Sequence, residues 1–147
     1  MKMEMEKIIE KWNEDAHIDG SELAIEQLKV SQLHNKYFKI LVGERTILKE
    51  MEIKVAQLKR MLIDYYAQRL NNAIDLEKIN REPWENKVLK SEQDIYINGD
   101  SEMIDLVLRV SIQEEKVNYL KAIIGRLEWR GGDIRNAIEW NKFSKGQ

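Results

Sequence analysis

The chain has 147 residues, 43% of them hydrophobic and 34% charged, with one proline and no cysteine. That length suits one domain with a real core, and the composition suits a helical protein. Missing cysteines exclude disulfides and thiolate metal sites, and no apolar run reaches the eighteen or so residues of a membrane span.

The formal net charge of −2 conceals blocks of alternating sign. Residues 1–28 carry −5, residues 29–73 carry +5, residues 74–115 carry −6 and residues 116–147 carry +4. Such blocks can pair inside a fold or between subunits, and they can leave a basic surface for nucleic acid on an acidic protein.

The N-terminus, MKMEMEKIIEKW, sets Met5, Ile8, Ile9 and Trp12 on one face of a short amphipathic helix. It is acidic and unlike a secretory signal, so an intracellular protein is expected. Asp19-Gly20-Ser21-Glu22 reads as a helix start, with Asp19 capping and Glu22 reaching back. Val30, Leu33, Tyr37 and Ile40 then keep helical spacing, and the seam jumps by eight to Leu48 across Gly43. Gly43 marks either a break between two helices or a kink in one helix running from about Gly20 to Arg69.

From Arg45 to Tyr66 the pattern is strongest. Leu48, Met51, Val55, Leu58, Leu62 and Tyr65 alternate steps of three and four, so they form one apolar stripe. Lys49, Lys54, Lys59 and Arg60 lie off that stripe, and Tyr65-Tyr66 close the run. A helix buried on one side and cationic on the other can hold a polyanion. A core helix with a solvated charged face is the simpler reading of the same residues.

Residues 71–96 lose this regularity around Pro83 and predict short helices and turns. Asp94–Gly99 alternates and ends in Asn-Gly, which predicts a short strand or an extended turn. Asp100 or Ser101 caps a second long helix whose seam is Met103, Leu106, Val110, Gln113, Val117, Leu120, Ile124 and Leu127. Gln113 is the only polar member, placed either to set register or at a wet edge. Arg130-Gly131-Gly132 predicts a stop, and Asp133 a cap for a last short helix. That helix has two apolar faces, Ile134 with Ile138 and Trp140 with Phe143, which suits a position between its own body and another subunit. The predicted class is therefore all-α, with long amphipathic helices packed as a hairpin or bundle over residues 1–130. A C-terminal oligomerisation helix over residues 131–147 completes it.

Motifs for enzymatic chemistry are missing. The sequence has no P-loop and no nucleophile in a recognisable triad context, and His17 and His34 lack metal-ligand spacing. Neither catalysis, a metal nor a cofactor is expected.

Several short segments, in order, resemble the UvsY-type recombination mediators of myovirus phages. They are His17-Ile18-Asp19 followed by Leu23, the basic helix ending Asp64-Tyr65-Tyr66, Lys90-Ser91 before an acidic segment, and Arg130-Gly131 before the terminal helix. Together they cover the chain from about residue 15 to its end. The resemblance implies a non-catalytic protein of the host cell cytoplasm that binds single-stranded DNA. Such a protein promotes loading of a phage recombinase in place of the phage single-strand-binding protein, in recombination, repair and recombination-dependent replication. It also implies a hexameric or heptameric ring built through the C-terminal region. The family's basic motif falls at Lys59 and Arg60, with Leu62 where a further basic residue is usual. On this reading Arg45, Lys49, Lys54, Lys59, Arg60 and Arg69 contact phosphates, Tyr66 stacks on bases, and Ile134, Ile138, Trp140 and Phe143 join subunits. The alternative is a non-catalytic, coiled-coil-like structural or adaptor protein.

Overall fold

The structure is a computed structural model and describes residues 3–146. The fold is all-α. Among the described residues it consists of α1 (Met5–Asp15), α2 (Leu23–Tyr66), α3 (Ala73–Ile79), a 3-10 turn (Lys90–Glu92), α4 (Gln93–Asn98) and α5 (Ser101–Ser144). The chain divides into two compact units, Met1–Ile47 with Gln113–Gln147, and Leu48–Ile112. The long helices α2 and α5 each pass through both.

In the first unit, the two long helices run antiparallel, because Glu26 meets Arg130 and Glu44 meets Gln113. The predicted N-terminal helix is present as α1, with Ile8 fully buried and Trp12 edge-on to Tyr37. Its last residue, Asp15, accepts from Lys36 and from the Tyr37 hydroxyl. Burial alone would raise the Asp15 carboxyl, but those two bonds outweigh it and hold the group below its ordinary range.

Helix α2 neither breaks nor changes seam at Gly43. The buried positions run Tyr37, Leu41, Glu44, and the half-buried Leu48 and Met51 follow in the same steps of four and three. The apparent jump of eight arises because one seam position is a glutamate. Glu44 is 1% exposed. Its carboxylate accepts from Gln113 Nε2 at 2.6 Å and from the Met3 amide at 2.7 Å, and Lys116 Nζ lies 3.6 Å away. Gln113 is equally buried and also donates to the Glu44 carbonyl, at 3.0 Å. Gln113 therefore belongs to a dry polar cluster, which penalises any sliding of one helix along the other, rather than to a wet edge.

The predicted stop at Arg130-Gly131-Gly132 does not occur, and α5 continues to Ser144. Each helical glycine costs about 1 kcal/mol relative to alanine. Anchors on both sides outweigh that cost. Arg130 is buried and donates to the Asp15 and His17 carbonyls at 2.7 and 3.1 Å, with Glu26 at 3.4 Å. Four residues on, Ile134 is also buried. Asp133 is thus an interior helix residue and caps nothing. Asp19 likewise forms a local turn with Ser21 rather than a capping box, and α2 begins at Leu23.

In the second unit, Leu58, Leu62, Tyr65, Tyr66, Leu76, Ile97 and Met103 form the core. The alanine variant of Leu58 is expected to lose about 2–3 kcal/mol, the lower end for a leucine that is not fully enclosed. An unchanged urea midpoint would show that this stripe carries no core. Residues 71–96 form the short helices and turns expected. Asn72 caps α3 by accepting from the Asp75 amide at 2.8 Å. Asp94–Gly99 is helical rather than extended: α4 buries Ile97 and turns Tyr96 inward, while Ile95 is exposed. No strand exists among the described residues to pair with an extended segment. Asp100, not Ser101, caps α5, accepting from the Glu102 and Met103 amides.

Candidate nucleic-acid interface

The apolar stripe fixes what the rest of α2 can present. Lys49, Lys54, Lys59 and Arg60 are all exposed, and among the described residues none makes an ion pair within 4 Å. At about 100° per residue, Lys49 and Arg60 stand within roughly 20° of each other around the axis, while Lys59 lies about 80–100° from both, on one flank of the stripe. Lys54 points about 140° away from Lys59, on the other flank of the stripe, and about 120° from Arg60. Arg45 is half-buried and belongs to the first unit. Two acids share this side: Glu52 lies about 20° around the axis from Lys59, and Asp64 about 40° from Arg60.

The helix ends in a way that places the next cation. The Arg69 amide donates to the Asp64 carbonyl and the Gln68 amide to the Tyr65 carbonyl, the paired bonds of a Schellman cap. Gln68 takes the left-handed conformation usually left to glycine, with φ 63°. Its side chain donates to the Trp84 and Asn86 carbonyls, which holds it there. Arg69 is exposed and reaches Asp64 at 3.1 Å. An exposed pair of this kind contributes little and leaves the guanidinium open to a stronger anion.

Tyr66 is not a free stacking platform. It is 8% exposed, and its ring packs against Tyr65, Trp84 and Tyr96 with centroids 4.7–5.7 Å apart. Its hydroxyl donates to Asp100 at 2.7 Å. Burial, then that bond to a carboxylate, pushes the phenol up to about 12. Asp100 in turn takes both arms of Arg81, at 2.7 and 2.8 Å, and Arg81 lies over the Tyr65 ring. Tyr65 is buried as well and donates to the Glu82 carbonyl. The paired tyrosines are therefore packing groups that tie the loop after α3 to the end of α2.

Beside them lies a cleft of about 350 Å³ lined by Ile63, Tyr66, Ala67, Arg69, Val88, Lys90 and Gln93. The composition of α2 does not reveal it, because Val88, Lys90 and Gln93 arrive from a later segment.

On the first unit, Ile134 is buried and Ile138 half-buried, so these two continue the α5 seam inside one subunit. Trp140 and Phe143 are 66% and 75% exposed, with ring centroids 5.9 Å apart. Trp129, eleven residues before Trp140 and outside the expected terminal helix, is also exposed and shares their face. Among the described residues no group of three or more His, Asp or Glu is arranged to hold a metal. No helix among them is long and apolar enough to cross a membrane.

Fold and surface thus define an all-α protein with exposed cations on one long helix and exposed aromatics near the end of the other. Residues 11–147 match the family described as recombination, repair and ssDNA binding protein UvsY, and the chain belongs to that family. Crystal structures of the bacteriophage T4 recombination mediator protein UvsY share the fold. The lattice type II form gives a TM-score of 0.85 at 17% identity, covering 98% of this chain and 99% of that one. The lattice type IV form gives 0.84 at 16%, covering 96% and 99%, and the type I form 0.82 at 16%, covering 94% and 98%. No curated protein sequence matches the chain.

Proposed function

We propose that this protein is a recombination mediator that binds single-stranded DNA through the outer face of α2. On this reading it promotes exchange of a phage single-strand-binding protein for a phage recombinase in the host cytoplasm. The observation that carries the reading is the set of exposed cations off the seam of α2, Lys49 and Arg60 on the side opposite it and Lys59 on its flank, none of them in an ion pair among the described residues. Family membership supports it independently. Arg69 extends the row past the helix end. Arg45 and Lys54 serve as outer contacts, Lys54 from the other flank. Phosphate contacts of this kind do not read sequence, as suits a protein that must act anywhere on a strand. Subunits would assemble through the terminal aromatic face into a ring of six or seven, which repeats the basic row along one strand.

The double change Lys59→Ala with Arg60→Ala tests this. Affinity for a labelled single-stranded oligonucleotide should fall uniformly across sequences. The slope of log affinity against log salt should shrink by about 1.4, at roughly 0.7 per lost contact for a single strand. Circular dichroism should stay helical, since both side chains are exposed. Unchanged affinity in the folded variant would remove this helix from the DNA site. Wild-type protein that binds no DNA at low salt would instead favour a scaffold.

A further inference from the structure

The cleft at the end of α2 lies where the cationic row leads. Ile63 and Ala67 follow Arg60 by three and seven residues, and Tyr66 follows Lys59 by seven, so its near wall continues the same helix face. Ile63 lies about 4.5 Å along the axis beyond Arg60. Past that wall stand the Arg69 guanidinium, placed by the Schellman cap, and Lys90, for which no ion pair within 4 Å exists among the described residues. Gln93, from the later segment, adds an amide with both a donor and an acceptor to the lining. Ile63, Ala67 and Val88 supply an apolar lining. The volume of about 350 Å³ lies at the small end of ligand sites, near the size of one nucleotide.

We propose that this cleft takes one nucleotide of the bound single strand, its phosphate held by Arg69 and Lys90 and its base laid on Ile63, Ala67 and Val88 with Gln93 at the base edge. The inference rests on the reading that the chain binds single-stranded DNA, and it adds a contact to bases that the α2 row does not provide. Because the buried Tyr66 ring is fixed by Trp84, Tyr96 and Asp100, the wall it forms is preorganised. Little ordering is then needed when a base enters. The amide of Gln93 can turn to suit any base edge, so capture of this kind tolerates sequence.

The experiment compares a normal single-stranded oligonucleotide with an abasic one of equal length and charge, on the full chain. Phosphate contacts alone would bind both equally. A captured base that buries apolar surface in the cleft should make the normal strand bind roughly tenfold tighter. Lys90→Ala with Gln93→Ala, both at accessible positions, should reduce that ratio toward one. Lys59→Ala with Arg60→Ala should weaken both strands and leave the ratio intact. Equal binding of the two strands by wild type overturns the cleft proposal while the phosphate reading stands. No binding of either overturns both. An undiminished ratio in the Lys90 and Gln93 variant places base contact elsewhere. Deoxyadenosine monophosphate that alone competes as well as the oligonucleotide would make this a site for free nucleotides and overturn its assignment to the strand.

Discussion

Replacing Asp100 with alanine is expected to destabilise the protein by about 3–5 kcal/mol, the range for breaking a buried ion pair from one side. Asp100 is almost wholly buried and accepts from both arms of Arg81, from the Tyr66 hydroxyl and from the first amides of α5. Without it, Arg81 keeps only Glu102, the Tyr66 hydroxyl loses its acceptor in the core, and α5 loses its cap. Asp100→Asn retains a capping oxygen and should fall between wild type and alanine. Urea unfolding followed by circular dichroism measures both variants. An alanine variant with the wild-type midpoint would show that the Arg81 guanidinium finds other partners.

The same cluster sets an acid sensitivity. Burial raises the Asp100 carboxyl, but the bonds from Arg81 and Tyr66 more than offset this and hold it at about 2. An unfolded aspartate titrates near 3.9. The folded value is the lower, so the stabilisation is complete above about pH 4 and is lost as pH falls toward 2, by roughly 2 kcal/mol. Asp100→Ala should lose less stability than wild type across that window.

On the proposed function, removing the terminal aromatics with Trp140→Ala and Phe143→Ala is expected to dissociate the proposed ring and lower single-stranded DNA affinity by about 10²–10⁴-fold. That is the gain from linking weak sites at high effective concentration. Both rings are exposed at the end of α5, where they add nothing to their own subunit's core. The double variant keeps every cation, unlike a truncation after Arg130, which would also remove Arg135, Lys142 and Lys145. Light scattering and DNA titration are run on the same sample. A variant with the wild-type mass would show that these aromatics are not the interface. A dissociated variant that binds as tightly as wild type would sink the avidity argument.

The long amphipathic helices and their buried stripes were legible in the spacing of apolar residues. Apolar side chains at steps of three and four can be satisfied only on one side of a helix, so Leu48 through Tyr65 and Met103 through Leu127 declare both the element and its inward face. The cations of α2 were legible as exposed for the same reason. Where those helices continue and which polar groups are buried depend on long-range packing. Gly43 reads locally as a break or a kink and Gly131-Gly132 as a break, at about 1 kcal/mol for each glycine. Partners far along the chain outweigh them: Gln113 meets Glu44 across 69 residues, and Arg130 meets Asp15 across 115. Tyr66 could not be separated from a surface ring by spacing, since consecutive helical residues differ by only about 100°. Its partners Trp84, Tyr96 and Asp100 come from segments with no helical period to project. The cleft depends on the same folding back, because Lys90 and Gln93 acquire a shared ligand-sized space with Arg69 only when that irregular segment packs against α2.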